Sequence, residues 1–126
     1  MLIWLVLGLV IFMLAYVRLA PSDAARWHTS IKDAKDKTFK AGAMRVVDCD
    51  LAALDRVARA SGATVLAGSV NEGHITYINR SRVIGFPDYT TVQAIDGKIA
   101  IFGRLRFGAS DLGVNAKRIE GWLAQL

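Results

Sequence analysis

Arginine is the residue type whose spacing in this sequence points most directly to chemistry. Successive side chains of a strand point to opposite faces, so Arg104 and Arg106 share one face of the last predicted strand. The same parity places Arg80 and Arg82 together on an earlier strand. If both strands lie in register in one sheet, four guanidinium groups line its outer surface and suit phosphate or carboxylate. A solvated strand face with scattered arginines is the alternative.

A second polar group lies between the last strand and the last predicted helix, where the sequence reads ASDLGVNAKR. Ser110 or Asp111 can cap the helix, and Asn115 can cap it or bind backbone, so each has a structural role available. The functional alternative is that N–H groups at the helix start hold an anion with Arg118 nearby. The candidate ligand-binding residues are therefore Arg80, Arg82, Arg104, Arg106, Ser110, Asp111, Asn115 and Arg118.

Groups for catalysis or metal binding are sparse. His28 and His74 are the only imidazoles, and the single thiol, Cys49, has no His or second Cys at a metal-ligand spacing. No nucleophile–base pair is visible, so we predict no catalytic set, no metal site and no cofactor. An enzyme that uses Asp88 or Asp111 with neighbouring arginines on an anionic substrate is kept as an alternative.

The first 20 residues predict a transmembrane helix, with membrane lipid as its partner. Residues 1–17 carry no charged side chain, and Trp4 and Tyr16 lie near the two ends, where interfacial aromatic residues are found. A cleaved signal peptide is the alternative, but a basic region before the apolar stretch is missing and the cleavage sites are poor. Lys and Arg residues follow the helix, so the positive-inside rule places the rest of the chain in the cytoplasm, although a domain of about a hundred residues can be exported regardless.

The remaining residues have room for one domain. Residues 21–40 are polar and aperiodic, which predicts a linker, and residues 41–126 predict an α+β domain with a small antiparallel sheet and two packed helices. One helix begins at Asp48 or Asp50 and ends at Gly62, and the other ends the chain. The predicted strands are Ala43–Val47, Ala63–Ala67, His74–Val83, Tyr89–Ile95 and Lys98–Phe107. The net charge of +5 is spread along the chain without a basic block, which argues against nucleic acid as a partner.

Two motifs resemble a known family. GFPDYTTV at Gly85–Val92, followed by RFGASDLGVNAKRI at Arg106–Ile119, is similar to the bacterial and plastid domain of unknown function 1499. The family often has a serine-rich run with an additional arginine before the second motif, whereas this chain has Phe102–Leu105 there. The resemblance implies a domain without a known activity. Because members of the family often look exported, it also implies the periplasmic side, against the charge rule.

Together these features predict a single-pass protein of the inner cell membrane with its domain on the periplasmic side. We expect a non-catalytic binding or accessory protein that contacts an anionic ligand, a lipid or a membrane protein complex. A structural small subunit of such a complex is a further alternative, alongside the enzyme.

Overall fold

A six-stranded antiparallel sheet organises the chain after an N-terminal apolar helix, which confirms the predicted α+β class. The computed structural model describes residues 1–81 and 84–126. The helices are α1 (Leu2–Leu19), α2 (Ala24–Trp27), α3 (Leu51–Ala60) and α4 (Val114–Leu123). The strands are β1 (Lys37–Phe39), β2 (Gly42–Val47), β3 (Thr64–Ser69), β4 (His74–Arg80), β5 (Pro87–Ile95) and β6 (Lys98–Leu105), in the order β1-β2-β6-β5-β4-β3.

The local signals in the sequence account for most element boundaries. The Asp50 carboxylate accepts a hydrogen bond from the Ala52 N–H and caps α3, and Gly62 follows that helix with a positive φ of 101°. Asp96 and Gly97 both have positive φ, as a two-residue hairpin requires. Strand β6 ends at Leu105 rather than Phe107, because its pairing with the neighbouring strand β5 ends there. Strand β4 ends at Arg80, so Ser81 lies outside it, and the rest of the predicted extension, residues 82 and 83, lies outside the described residues.

Helices α3 and α4 cover one face of the sheet and form the core with it. Leu54 and Ile119 from the two helices are fully buried against strand residues Ile75, Tyr77 and Ile101. The polar atoms of two buried aromatic side chains have hydrogen-bond partners. The Tyr77 hydroxyl donates to Asp55, and the Trp122 indole N–H donates to Ser61 Oγ at 3.1 Å. The last helix therefore packs on the sheet, as predicted.

The opposite face of the sheet is covered by the chain that leaves α1. We call residues 20–31 the strap. Within it, Trp27 is buried and stacks on Tyr89 with ring centroids 4.0 Å apart, and Ile31 is buried with its N–H donating to Gln93 Oε1 at 2.8 Å. Part of the predicted linker therefore packs on the sheet, since its apolar members bury surface there. The predicted domain boundary at residue 41 stays a prediction.

Arg104 is the residue that binds the strap to the sheet. Its side chain is buried, and the guanidinium donates to the Trp27 carbonyl, to Thr91 Oγ1 at 2.8 Å and to the Phe102 carbonyl at 3.0 Å. It also lies over the rings of Trp27 and Phe102, at 5.5 and 4.6 Å from their centroids. Burial lowers the pKa of Arg104 to about 10, so the group stays charged at neutral pH.

Two stacked histidines join the strap to strand β4 of the sheet. The rings of His28 and His74 lie 3.9 Å apart, and His28 Nδ1 hydrogen-bonds Thr76 Oγ1 at 2.8 Å. Burial lowers the pKa of His28, the charge of His74 and, less strongly, that of Arg104 lower it further, and Glu72 opposes them. The folded protein therefore favours a neutral His28.

This pKa shift predicts that the strap loosens in acid. A histidine with a lowered folded-state pKa stabilises the fold fully above its unfolded pKa, and this stabilisation is lost as pH falls through the folded-state pKa. We expect the hydrogen-exchange protection factor of the Ile31 N–H to fall between pH 7.5 and 5.5, and to fall much less in His28→Gln. The buried Ile101 N–H is the internal control. Equal pH dependence of Ile31 protection in both proteins would contradict this assignment.

Candidate functional site

A cleft of about 400 Å³ lies beside the start of α4, the start of β5 and the end of β6. Its walls combine apolar and polar side chains, a composition typical of small-molecule sites. We call it the Arg118 cleft. The apolar lining residues are Phe86, Leu105, Phe107, Leu112 and Val114, and the polar ones are Ser81, Asp88, Ser110, Asp111 and Arg118.

Asp111 shapes the rim of the cleft by capping α4. Its carboxylate oxygens accept hydrogen bonds from the Gly113 N–H at 2.9 Å and the Asn115 N–H at 3.0 Å. Burial alone raises the pKa of Asp111, but these bonds and the one from the Asn115 side chain outweigh it, so the pKa is lowered. The structural role predicted for Asp111 is therefore present. Ser110 Oγ accepts a weaker bond from the Leu112 N–H at 3.3 Å.

Asn115 is the buried centre of the site. Its Nδ2 donates to Asp111 at 2.9 Å and to Asp88 at 3.3 Å, and its Oδ1 accepts from Arg118 Nη1 at 2.9 Å. The amide fits only because strand β6 carries a glycine: a Cβ on Gly103 would lie 2.9 Å from Asn115 Oδ1. One fully buried amide thus sets the positions of two carboxylates and a guanidinium.

Asp88 and Arg118 form a loose ion pair beside this amide. Arg118 Nη1 lies 3.4 Å from Asp88 Oδ2, and both side chains are largely buried. Burial raises the pKa of Asp88, although the Arg118 charge and hydrogen bonds oppose the shift. The site can therefore hold a proton on Asp88 more readily than an exposed carboxyl, and it presents a guanidinium to the cleft.

The structure brings together five residues that the sequence analysis singled out: Asp88, Ser110, Asp111, Asn115 and Arg118. The two candidate carboxylates of the enzyme alternative are neighbours, but both oxygens of Asp111 are engaged in capping. Asp88 is therefore the carboxyl group that remains a candidate for the enzyme alternative.

The three described arginines of the predicted four-arginine surface do not form one exposed surface. Arg80 and Arg104 lie on the same sheet face, as their parity predicts, but the strap covers Arg104. Arg106 Nη1 donates to the Pro21 carbonyl and to the Tyr89 hydroxyl, both at 3.0 Å, and Arg80 Nη1 donates to the Gly85 carbonyl at 3.0 Å. Arg82 lies outside the described residues. These contacts fasten the chain near the end of α1; a ligand-binding role for these arginines stays a prediction.

Sequence reasoning missed the apolar half of the cleft and the role of Gly103. Phe107 was assigned to a strand and Phe86 appeared only within a family motif, whereas both line the cleft. The available signal was the glycine itself, since a glycine inside a strand often marks a close approach of another chain segment. In the described part of the chain, no three His, Cys, Asp or Glu side chains come together as metal ligands.

The comparison with protein families agrees with the motifs. The family model described as "Protein of unknown function (DUF1499)" matches residues 18–126, which include the sheet, the strap and the whole Arg118 cleft. The chain belongs to this family. None of the curated proteins compared with the chain is similar to it.

The close fit of Asn115 against β6 gives a direct prediction. Gly103→Ala inserts a methyl group against the Asn115 amide and should destabilise the domain by about 1–3 kcal/mol, as overpacking does. Gly121→Ala is the matched control, because no atom lies within 4 Å of the Cβ it would add, and it should raise stability by about 0.5–1 kcal/mol. Thermal unfolding of both variants measures the difference. A Gly103→Ala variant as stable as wild type, with an unchanged Asn115 side-chain NMR signal, would contradict the geometry.

Proposed function

We propose that this protein is a membrane-anchored, non-catalytic binding protein whose Arg118 cleft takes a small molecule with an anionic group and a short apolar part. The observation that carries the proposal is that this cleft combines a guanidinium with walls lined by five apolar side chains. Its volume of about 400 Å³ falls within the range of roughly 300–1,000 Å³ typical of small-molecule sites.

The anionic group of the ligand is expected to pair with Arg118. Within residues 1–81 and 84–126, all hydrogen bonds of Arg118 use Nη1, so Nε and Nη2 have no partner there. A planar guanidinium with two such nitrogens suits a phosphate, sulfonate or carboxylate. Asp88 opposes an anion while it is ionised, but its raised pKa weakens that opposition as pH falls.

The apolar part of the ligand is expected to lie against Leu105, Phe107 and Val114. These apolar side chains line the same cleft as Arg118. Each apolar Å² removed from water contributes roughly 25 cal/mol. An alkyl or aromatic group therefore adds affinity that an inorganic anion lacks.

Helix α1 is the proposed membrane anchor. This helix is long and apolar enough to cross a membrane, and only Val17 within it is buried. Its exposure argues against a core helix, and a hydrogen bond from Arg80 Nη1 to the Val17 carbonyl at 3.5 Å, which joins the helix end to the domain, supports an uncleaved anchor. We place the domain on the periplasmic side of the inner membrane, as the exported character of the family suggests.

A second candidate function is an enzyme in which Asp88 acts as a general acid or base on an anionic substrate. The specific observation in its favour is the raised pKa of a carboxyl that lies beside an arginine in a cleft. The two candidate functions predict different consequences of Asp88→Asn. A binding protein should bind the anion more tightly, whereas an enzyme should lose turnover.

The binding proposal is tested with hexanesulfonate, which stays anionic across the working pH range. The full chain in phosphatidylcholine nanodiscs is titrated, and the Asn115 side-chain NMR signal reports occupancy. Arg118→Gln should weaken binding about tenfold or more, as expected when a charged hydrogen bond is lost. Asp88→Asn should tighten it about fivefold, because a nearby negative charge worth ~1 kcal/mol is removed.

Lys117→Gln is the matched control, because it removes the same charge from an exposed position on α4 and should leave the affinity unchanged. Inorganic sulfate and hexanol, which carry the head and the tail alone, should each bind more weakly than hexanesulfonate. Equal affinity of wild type and Arg118→Gln for hexanesulfonate would refute the proposed site.

A further inference from the structure

We infer that the rim of the cleft is a lipid-binding edge that seats the domain on the bilayer beside α1. The edge consists of the cleft residues Phe86, Leu112 and Val114 together with Ile84, which lies two residues before Phe86 in the chain. The inference rests on the membrane anchor of the proposed function and goes beyond it. It specifies the orientation of the domain, and it makes the bilayer surface the place where the Arg118 cleft opens.

The edge gathers most of the exposed large apolar side chains outside α1. Six such side chains are exposed among the described residues after α1, and four of them belong to this edge. Their exposed fractions are 90% for Leu112, 48% for Val114, 40% for Phe86 and 38% for Ile84. Such a concentration on a small domain indicates an interaction surface.

The backbone presents Leu112 outward rather than toward the core. Leu112 has a positive φ of 55°, a conformation that is unfavourable for a non-glycine residue. Its side chain gains no burial within the domain in return. A surface that buries this apolar side chain would offset part of the unfavourable free energy of its backbone conformation.

The identity of the covering surface follows from where the edge lies. Phe107, next to Phe86 with ring centroids 6.5 Å apart, packs edge-on against Tyr16 of α1 at 6.2 Å. Tyr16 lies in the last turns of the helix, at the level where interfacial aromatic residues settle. When α1 spans a membrane, Phe86 therefore lies at the depth of the lipid headgroups.

Cationic groups at the same level complete a lipid-binding surface. A Cβ on Gly85 would lie 3.2 Å from Arg18 Nη1, so this guanidinium rests on the turn that carries Phe86. Arg80 and Arg106 donate to the backbone carbonyls of Val17 and Pro21, at 3.5 and 3.0 Å, and lie at the helix end. Apolar side chains flanked by arginines suit a bilayer with anionic headgroups. Continuity with α1 favours this bilayer over a separate protein partner.

The test measures membrane depth at three positions of the full chain. Single cysteines are introduced as Leu112→Cys, Lys98→Cys and Leu9→Cys in a Cys49→Ala background, spin-labelled, and reconstituted in vesicles of phosphatidylcholine and phosphatidylglycerol. Accessibility to oxygen and to a water-soluble nickel complex is then compared by electron paramagnetic resonance. All three positions are exposed, so the labels should not disturb folding.

We expect the labels at positions 9 and 112 to favour oxygen and the label at position 98, at the opposite end of the sheet, to favour nickel. A lipid-exposed label at position 9 with a nickel-accessible label at position 112 would overturn the edge and leave the anchor intact. A label at position 112 shielded from both reagents would indicate a protein partner and would also overturn it. A nickel-accessible label at position 9 would refute the anchor, and the edge with it.

Discussion

The arrangement of the whole molecule depends on one buried charge. Arg104 lies on the face of the sheet opposite α3 and α4, and no carboxylate in the described part of the chain pairs with it. Burying a charge without a counter-ion is costly unless hydrogen bonds replace the lost water. Here two carbonyls and a hydroxyl do so, and two aromatic rings lie against the cation. Since the Trp27 carbonyl belongs to the strap, the charge is satisfied only while the strap is in place.

This dependence connects the fold to its proposed function. The strap is the direct continuation of α1, so fastening it to the sheet also fixes the domain relative to the helix. Arg106 and Arg80 strengthen the attachment through backbone carbonyls at the helix end. As a result the Arg118 cleft lies beside the last turns of α1 rather than at the end of a loose tether. If α1 spans a membrane, as we propose, a ligand with an apolar part would reach the cleft from the membrane surface.

Much of the domain was predictable from sequence because its signals are local. Alternation in β6, the Asp50 cap and the Asp96–Gly97 turn each act within a few residues, and each appears in the structure. The strap was not predictable, because its burial depends on Trp27 meeting Tyr89 across 62 positions of the chain. The parity of Arg104 was right, whereas its exposure was wrong, since strand alternation gives a face but not what covers it. Asn115 was a candidate residue from the sequence, but its burial against Gly103 was not predicted, because it depends on a contact between α4 and β6.

The most direct test of this account is the distance between the end of α1 and the far end of the sheet. Spin labels at Leu19→Cys and Lys98→Cys, in the Cys49→Ala full chain in nanodiscs, report it by double electron–electron resonance. Both positions are exposed. A strap held by Arg104 predicts one narrow distance distribution that broadens in Arg104→Ala and stays narrow in the surface control Arg56→Ala. A broad distance distribution without the Arg104 substitution would show that a flexible linker joins the domain to α1, and it would contradict the account.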